Sequence, residues 1–432
     1  MNFRNSEIDI YSDWSLIELG KVADVLDPHP SHRAPKATKG GFPFAGIGDI
    51  DEYGNIDVNK ARIVSEKIIE DHINSYKIDE NSIGYGRVGT VGKVVKLKDR
   101  RRYKYALAPT LAVINPNQNI EPKFLYALLR SNVFFNQVSK YMTGSTRPSI
   151  GIQVLRKINI PYPSLIEQKK IANIITALDE KIQLNVEMHN TLQEISQVLF
   201  KRWFVDFEFP NEDGEPYKSN GGEMIESELG SIPKGWNVVT LGKVMNIITK
   251  SEKPFENPEI IYEHFSIPAY DNSLLPVYES GSLISSNKYI IDNDCILISK
   301  LNPSTKRLWN PFCATGNSIC STEFIVFKPI EKCFKSFYYE LINTNQFYDY
   351  MVSHTTGSTG SRQRVKQKET LDFKFVMPLN TIIEKSCRVI RPLHEKSQRL
   401  LQENKELISL RDSLLPKLMS GEIRVEDIEA NL

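Results

Sequence analysis

The chain has 432 residues and carries 54 lysines and arginines against 53 aspartates and glutamates, so its formal net charge is +1 at pH 7. This balance and a hydrophobic fraction of 41% are typical of globular proteins, and the length predicts roughly two to four domains. No apolar run approaches the roughly eighteen residues of a membrane span, and the N-terminus lacks the apolar core of a signal peptide. Five cysteines without a Cys-x-x-Cys pair favour reduced thiols in a cytoplasmic protein without a structural zinc.

Charge is unevenly distributed along the chain. Residues 86–104 contain eight basic residues and one acid, and residues 206–228 contain eight acids and one base. Such segregation would confine a positive field to one face of the molecule, as in a nucleic-acid-binding protein. The alternative, that both runs are solvated surface, stays open on charge alone.

The first 160 residues predict a module that mixes strands and helices. Residues 82–95 alternate glycine with β-branched side chains, which is typical of a tight hairpin or a bulged strand. Residues 106–114 predict a buried strand, and residues 122–138 predict an amphipathic helix. Residues 158–163 predict a last edge strand, where proline is tolerated.

A long helix is predicted to follow this module. Ser164 and Glu167 have the spacing of a capping box. No proline or glycine occurs from there to about residue 206, which at 1.5 Å per residue predicts a helix of about 60 Å. The recurring apolar positions are Ile171, Ile174, Leu178, Ile182, Met188, Leu192, Ile195, Leu199 and Trp203. This narrow stripe predicts pairing with a second helix, and Asn185 interrupts it with a polar residue of the kind that fixes register.

A second module and a second long helix are predicted further along. Residues 211–223 are rich in glycine, proline and acids, which indicates a linker or an exposed loop. The second module is predicted from Trp236 to Pro378, and Thr381 with Glu384 forms another capping box. The apolar positions of the helix that follows are Leu393, Leu400, Leu407, Leu410, Leu414 and Leu418, with Asn404 as the polar interruption.

The second helix is not predicted to be a straight copy of the first. The two capping boxes lie 217 residues apart, whereas Glu180 and Glu395 lie 215 apart, so two residues are missing from the second copy. Pro392 lies near this slip and predicts a kink or a restart. Gly421 is predicted to end the helix.

Three sequence features occur twice, in the same order. The paired anchors are Trp14 and Trp236, the Thr-Gly-Ser-Thr loops that begin at Thr143 and Thr356, and the helix positions Leu178 and Leu393, at offsets of 222, 213 and 215 residues. A fixed order at a near-constant offset indicates a duplicated unit. We therefore predict two similar α/β modules separated by two long helices packed antiparallel. The predicted domains are 1–163, the first helix 164–207, 208–378 with a linker over 208–230, and the second helix 379–432.

Motifs for catalysis are weak or incomplete. Gly84, Gly86 and Gly89 match a dinucleotide fingerprint, but the residues after Gly89 predict a strand where that motif needs a helix. The sequence at Asn310 is one proline short of an adenine-methyltransferase loop, and the seven histidines do not cluster. The sequence thus predicts a chain that performs no catalysis itself.

The sequence contains more residues suited to binding nucleic acid than motifs suited to catalysis. Small hydroxyl side chains, backbone N–H groups left open by glycine, and arginines are the groups that grip phosphate oxygens or reach guanine edges. The candidate DNA-binding residues are Ser31, His32, Arg33, Arg87, Lys93, Thr143, Ser145, Thr146, Arg147, Lys300, Arg307, Thr356, Ser358, Thr359, Arg362 and Arg364. Taken singly, each is also compatible with an ordinary polar loop. Recurrence at matching positions favours function for the two Thr-Gly-Ser-Thr loops.

The chain resembles the specificity subunit of type I restriction-modification enzymes. The resemblance is carried by Trp-x4-Leu-Gly-x-Val openings at Trp14 and Trp236 and by the two Thr-Gly-Ser-Thr loops. It extends to a Pro-x-x-x-Glu-Gln segment at 163–168, the aromatic segment 199–207 and the tail 414–424. The resemblance covers nearly the whole chain.

This resemblance implies two target-recognition domains, each reading one half of a bipartite, asymmetric DNA site. It also implies two modification subunits that methylate adenine with S-adenosylmethionine, and restriction subunits that use ATP and Mg²⁺, so the chain itself holds no cofactor. Two alternatives stay open on sequence alone. One is a self-sufficient DNA methyltransferase or nuclease with an unfamiliar site, and the other is a coiled-coil scaffold for protein-binding modules.

Overall fold

The duplication seen in the sequence is present as a repeated order of strands and helices. The computed structural model describes residues 14–29, 31, 33–51, 53–356 and 363–426. The chain forms two units, one of Met1–Ile182 with Glu406–Leu432 and one of Gln183–Lys405. Each unit therefore combines one module with parts of both long helices. The predicted mixture of strands and helices with long coiled-coil helices is confirmed.

The first module contains nine strands within the described residues. They are β1 (Ser15–Glu18), β2 (Ala23–Leu26), β3 (Phe42–Ala45), β4 (Arg62–Val64), β5 (Ile83–Gly86), β6 (Val94–Lys96), β7 (Ala106–Leu107), β8 (Leu111–Pro116) and β9 (Asn159–Tyr162). Its helices are α1 (Leu19–Val22), α2 (Glu66–Ser75), α3 (Pro122–Arg130), α4 (Asn132–Ser139) and α5 (Ile152–Arg156), with a 3₁₀ turn at Ile47–Asp49.

An antiparallel sheet in the order β2-β8-β5-β6 lies at the centre of this module. A smaller sheet, β4-β3-β7, pairs β3 with β7 in parallel, and β1 pairs with β9. The helix predicted over 122–138 is two helices, because the Ser131 hydroxyl accepts the Phe134 N–H and starts α4 as a new helix. The Phe134 ring packs edge-on against the buried Tyr85 of β5, with ring centroids 5.5 Å apart.

The second module contains fifteen strands within the described residues. They are β10 (Met224–Ser227), β11 (Gly230–Pro233), β12 (Asn237–Thr240), β13 (Met245–Ile247), β14 (Ser251–Glu252), β15 (Ile261–Phe265), β16 (Val277–Ser280), β17 (Lys288–Ile290), β18 (Ile296–Ser299), β19 (Leu308–Trp309), β20 (Ser318–Ser321), β21 (Phe324–Pro329), β22 (Thr355–Thr356), β23 (Arg364–Val365) and β24 (Lys374–Met377).

Its helices and 3₁₀ turns fall between these strands. The α-helices are α7 (Ile267–Ser273), α8 (Lys335–Ile342) and α9 (Asn345–Ser353), and the 3₁₀ turns are Leu241–Lys243, Pro254–Glu256, Gly281–Leu283, Lys332–Phe334 and Gln367–Asp372.

The sheets of the second module repeat those of the first. The order β13-β21-β18-β19 matches β2-β8-β5-β6 strand for strand, and β12 with β24 matches β1 with β9. In the larger sheet β14-β17-β20-β15-β16, the parallel pair β15 and β20 corresponds to β3 and β7. The second module therefore keeps the frame of the first and adds β14 and β17 to one sheet.

Two long helices alternate with the modules. The helix α6 spans Leu165–Phe200 and continues as one π-helical turn, Lys201–Val205, and α10 spans Asn380–Ser420. Their 36 and 41 residues correspond to lengths of about 54 and 62 Å. No helix in the described part of the chain is long and apolar enough to cross a membrane.

The two helices begin differently from the prediction. The Ser164 hydroxyl does accept the Glu167 N–H, at 3.3 Å, so the predicted N-cap is confirmed. However, the Glu167 carboxylate accepts hydrogen bonds from the Trp14 indole at 3.1 Å and from the Arg424 guanidinium, and it pairs with Arg424 at 2.8 Å. The second predicted cap is wrong, because α10 already begins at Asn380, so Thr381 lies inside the helix.

This correction also removes the predicted two-residue slip. The first residues of α6 and α10 differ by 215 positions, the same offset as Glu180 and Glu395. The predicted restart at Pro392 is wrong too, since α10 is unbroken from Asn380 to Ser420. Pro392 is exposed, so the carbonyl that its missing N–H leaves without a partner lies on the solvent side. The helix ends as predicted at Gly421, whose φ is +75°.

In the first unit, α6 and the end of α10 pack through apolar side chains. Ile171 and Ile175 of α6 share one buried core with Leu415 and Leu418 of α10 and with the module. Nearby, Asp179 accepts hydrogen bonds from Arg130 of α3 at 2.6 Å and from Arg411 of α10 at 2.9 Å. Burial raises the pKa of Asp179, but the two arginines together outweigh this and hold it below 3.8. Asp179 therefore ties α3, α6 and α10 together as a carboxylate.

In the second unit, the seam between α6 and α10 is polar. The Asn185 side-chain amide donates to the side-chain oxygen Oδ1 of Asn404 at 2.9 Å, and the Ser397 hydroxyl is bonded to His189 at 2.7 Å and to Gln193 at 3.0 Å. Contacts on α6 advance along the chain as their partners on α10 recede, so the helices are antiparallel. The prediction that Asn185 and Asn404 interrupt the seam is confirmed, and the structure pairs them with each other.

The predicted apolar stripe of α6 is only partly correct. Ile171 and Ile182 are buried, but Met188 is 36% and Ile195 is 42% exposed. Their places in the seam are taken by His189 and by Ser196, which donates to the buried Glu340 of α8 at 2.7 Å. Glu340 also bonds His394 of α10 at 2.6 Å. Hydropathy cannot show such positions, because their polar side chains become suitable for burial only through partners that lie far away in sequence.

The acidic segment before the second module is anchored at aromatic residues. Most of residues 211–223 are exposed. Phe209 is buried and stacks on Trp236 on one side, at 4.8 Å, and on Tyr217 on the other, at 4.6 Å. The segment that the sequence presents as a linker is thus fastened to the second module at this stack.

The polar pair in the seam generates a stability prediction. Asn185→Leu removes the hydrogen bond to the buried Asn404 and should destabilise the chain by about 1–3 kcal/mol. Asn185→Leu with Asn404→Leu replaces both amides and should cost less than the single change. Thermal unfolding followed by circular dichroism measures both, with the exposed Asn173→Leu on the same helix as control. A single variant as stable as this control would contradict the account.

Candidate nucleic-acid interface

The glycine-rich segment of the first module is a tight hairpin, as predicted. The Gly86 N–H donates to the Lys93 carbonyl at 2.7 Å, and the Gly92 N–H donates to the Gly86 carbonyl at 3.0 Å. Gly89 and Gly92 have φ of +79° and +93°, which favour glycine. A Cβ on Gly86 would lie 2.2 Å from the Thr90 carbonyl oxygen. The close reversal of the chain therefore needs these glycines, and Gly89 and Thr90 are exposed at its tip.

The first Thr-Gly-Ser-Thr segment is a closed, exposed loop. Thr143 and Ser149 exchange backbone hydrogen bonds of 2.9 and 2.8 Å across its base. Gly144 has a φ of +87°, and a Cβ there would lie 2.8 Å from the Arg147 carbonyl oxygen. The side chains of this loop that the sequence predicts to bind DNA are exposed, namely Thr143, Ser145, Thr146 and Arg147.

The hairpin and the loop lie edge to edge. The Gly89 N–H donates to the Pro148 carbonyl at 2.8 Å, and the Ile150 N–H donates to the Arg87 carbonyl at 2.9 Å. These bonds join residues that are about 60 positions apart into one surface. We call residues 87–93 with 143–149 the first paired-loop surface.

The second module builds the same arrangement from different residues. The Asn302 N–H donates to the Gln363 carbonyl at 2.9 Å, and the Val365 N–H donates to the Lys300 carbonyl at 3.1 Å. Asn302, which is the structural equivalent of Gly89 in the first module, has a positive φ of +48°. We call residues 300–307 with 356 and 363–365 the second paired-loop surface; residues 357–362 lie outside the described residues.

The sequence gives no sign of this equivalence, because the hairpin at Arg87 and the segment at Lys300 share no motif. The structure places them at equivalent points, directly after β5 and β18, with the same backbone bonds to the returning loop. Backbone geometry is conserved here without side-chain identity, and a positive φ is compatible with both glycine and asparagine.

Arg87 and Lys93 are predicted on an exposed surface but are engaged within the module. The Arg87 side chain is 8% exposed and pairs with Asp27 at 2.6 Å. The Lys93 ammonium donates to the carbonyls of Ile47 and Ile50 at 3.0 and 2.7 Å. In this structure both cations therefore stabilise the hairpin, and their contact with DNA stays a prediction.

Two arginines of the second module also have acidic partners. Arg307 makes a two-pronged contact with Asp271 at 2.7 and 2.9 Å, and Arg364 makes one with Glu323 at 3.0 and 3.1 Å. The side chain of Arg364 is 45% exposed, whereas that of Arg307 is 16% exposed. Arg364 thus remains accessible from solvent, and Arg307 is largely covered.

The remaining predicted residues are distributed around the two surfaces. Ser31 and Arg33 are exposed and follow Asp27, the partner of Arg87. Lys300 is half-buried, and Thr356 is exposed opposite Arg364 in the β22–β23 pair. The predicted residues that lie outside the described ones are His32, Ser358, Thr359 and Arg362.

Sequence reasoning missed the acids of this interface. Asp27, Asp271 and Glu323 hold the guanidinium groups of arginines that are 60, 36 and 41 positions away. An isolated acidic residue gives no signal of such a role. The contacts depend on the pairing of distant strands, which no local pattern shows.

A cavity of about 300 Å³ lies elsewhere in the second unit. It is lined by aromatic side chains such as Tyr270 and Trp309 and by polar side chains of both long helices, including His189 and Gln398. None of the predicted DNA-binding residues lines this cavity. Within the described ranges, no three His, Cys, Asp or Glu side chains are grouped so that they could hold a metal ion.

The chain therefore has a duplicated architecture of two similar modules, each with a paired-loop surface, and two long antiparallel helices. Known proteins share this architecture and parts of this sequence. Residues 11–194 match the family model described as the type I restriction modification DNA specificity domain. This family is the one that the sequence motifs predict, and the match supports a role in DNA recognition.

Relatives extend the match along the chain. It is 26% identical to the type I restriction enzyme MjaIX specificity subunit of Methanocaldococcus jannaschii, over 99% of this chain and 97% of that protein. It is 24% identical to the HindI specificity subunit of Haemophilus influenzae, over 87% of this chain and 96% of that protein. The fold is also that of the type I restriction-modification S subunit from M. genitalium, with a TM-score of 0.58, 16% identity and coverage of 97% and 98%.

Arg147 provides a test of the first paired-loop surface. Arg147→Ala removes an exposed guanidinium and should weaken binding to the target duplex by about 1–3 kcal/mol, or at least about fivefold. Fluorescence anisotropy at two salt concentrations measures the loss. Arg102→Ala is the matched control, since Arg102 is exposed in the same module but lies beyond the far end of β6. Equal affinities of both variants would exclude this loop from the interface.

Proposed function

We propose that the two modules of this specificity subunit each read one half of a bipartite DNA target. The observation that carries this proposal is the repeated backbone pairing of a hairpin with a returning loop, at Gly89–Pro148 in one module and Asn302–Gln363 in the other. A shared frame gives both modules the same way of approaching a duplex. Base-edge contacts from side chains on that frame then specify sequence, while phosphate contacts position it.

The side chains on the two frames support an asymmetric target. The first hairpin carries glycines and Thr90 at its tip, whereas the second carries Asn302, Pro303 and Ser304. The returning loops differ as well. Ser149 pairs with the hairpin in the first module, and Arg364 occupies the equivalent position in the second. Different donors and acceptors at equivalent points favour different base sequences in the two half-sites.

We further propose that this chain leaves catalysis to partner subunits. Two modification subunits would methylate adenine with S-adenosylmethionine, and restriction subunits would use ATP and Mg²⁺. The related chains carry the name specificity subunit, and the predicted residues of this chain serve binding. Since the target is the DNA of the host cell, we place the assembly in the cytoplasm.

An exposed apolar stripe on α6 supports a protein partner. Leu184, Met188, Ile195 and Val198 are 50%, 36%, 42% and 65% exposed. At about 100° per residue they fall within roughly 80° of one another on the helix surface. An exposed apolar face that does not pack in the seam is typical of a subunit interface. We assign this stripe to a modification subunit.

Exchange of one module tests the division of the target. Replacement of residues 1–163 by the corresponding module of another specificity subunit should change one half of the methylated motif and leave the other half unchanged. Single-molecule sequencing of methylated adenines in the host measures the motif directly. The reciprocal exchange of residues 208–378 is the matched control and should alter the opposite half.

Two outcomes would contradict the proposal. A change in both halves after one exchange would show that the modules do not read independently. Methyl transfer to DNA by the purified chain without partner subunits would show that the chain itself is catalytic.

A further inference from the structure

Four side chains of the first module form a continuous hydrogen-bonded relay. Arg100 donates to the Tyr76 hydroxyl at 2.6 Å, and this hydroxyl lies 3.1 Å from Nδ1 of His72. Nε2 of His72 lies 3.1 Å from Nδ1 of His29, and Nε2 of His29 lies 2.7 Å from the Arg33 carbonyl oxygen. The relay connects α2 and the segment after β6 to the loop that follows β2.

The two ends of this relay set its direction. A guanidinium can only donate and a carbonyl can only accept. His29 therefore donates from Nε2 to the Arg33 carbonyl. One proton order then satisfies the remaining contacts, with His72 donating from Nε2 to Nδ1 of His29 and accepting the Tyr76 hydroxyl proton at Nδ1.

The surroundings of His72 favour its neutral form. Burial lowers the pKa of His72 to about 4, Arg100 and His29 act in the same sense, and Asp71 acts in the opposite one. Burial raises the pKa of Tyr76, which keeps its hydroxyl proton for donation. Arg100 is itself buried and also donates to the His72 carbonyl at 3.0 Å. The relay is therefore held at its origin by a buried, multiply bonded cation.

The far end of the relay fixes a predicted DNA-binding segment. His29 Nε2 lies 2.9 Å from the Ser31 hydroxyl as well as close to the Arg33 carbonyl. The His29 N–H donates to Asp27 at 3.0 Å, and the same carboxylate pairs with Arg87 of the hairpin. Asp27 is thus bound to the first paired-loop surface, while Ser31 and Arg33 are bound to the relay through His29.

We propose that Tyr76, His72 and His29 are positioning residues for recognition by the first module. They hold Ser31, Arg33 and the Asp27–Arg87 pair in one geometry beside the first paired-loop surface. They contact no base themselves and act only through the loop. This inference rests on the proposed reading of one half-site by this module.

Spectroscopy tests the relay without reference to DNA. In the full chain labelled with ¹⁵N-histidine, His72 and His29 should both show the neutral Nε2–H form at pH 7. Tyr76→Phe removes only the hydroxyl and keeps the aromatic ring under Arg100, 4.4 Å away. It should shift the His72 signal toward a mixture of tautomers. A wild-type spectrum with either histidine charged or in the Nδ1–H form would overturn the relay.

DNA discrimination tests the positioning role. The variants Tyr76→Phe and His29→Phe, assembled with the methyltransferase subunits, are compared on the host's methylated motif and on duplexes altered in one half. Discrimination within the first module's half should fall by about fivefold, the scale of one hydrogen bond. Discrimination within the other half should not change. Tyr103→Phe is the control, because Tyr103 is exposed in the same module.

The outcomes separate this inference from the proposed function. Unchanged discrimination in both variants, or an equal loss in both halves, would overturn the positioning role. A wild-type complex with no preference for either half would instead overturn the proposed function, while the histidine spectra would still decide whether the relay exists.

Discussion

The antiparallel pairing of α6 with α10 is the constraint on which the rest of the structure depends. In the first unit this pairing rests on an apolar core that includes Ile171 and Leu418, and in the second it rests on polar contacts such as Asn185 with Asn404. Buried amides and imidazoles tolerate few alternative alignments, because each must find its partner. The polar contacts therefore set the register of the helix pair, and a carboxyl group fastens each module to the helices, Asp179 in one unit and Glu340 in the other.

In the proposed function, the recognition side chains of both modules lie on a hairpin and a returning loop whose backbone bonds stay the same when the sequence changes. Main-chain bonds between a hairpin and a returning loop do not depend on the side chains at those positions, apart from the need for a positive φ at Gly89 and Asn302. Exposed side chains on the frame can then vary while the frame stays the same. The proposed reading of two different half-sites needs this separation, because the base sequence differs between the half-sites while both modules would meet the duplex in the same way.

Features with local causes could be predicted from the sequence. The length of α6, the Ser164 cap, the hairpin glycines and the end at Gly421 each follow from a few neighbouring residues. Features that depend on distant partners could not. Hydropathy does not predict that the polar residues His189 and Ser196 are buried. Pro392 does not break α10 because it faces solvent, and Asp27 binds Arg87 although the two are 60 positions apart. The equivalence of the Arg87 and Lys300 segments became visible only through their backbone bonds to the returning loops.

Site-specific crosslinking tests the central claim most directly. Thr90 and Ser304 are exposed at the tips of the two hairpins, and a photo-reactive amino acid can replace either one in the assembled complex. The probe at residue 90 should attach to one half of the target and the probe at residue 304 to the other half. Attachment of both probes to the same half, or of either probe to the DNA between the halves, would contradict the proposed function.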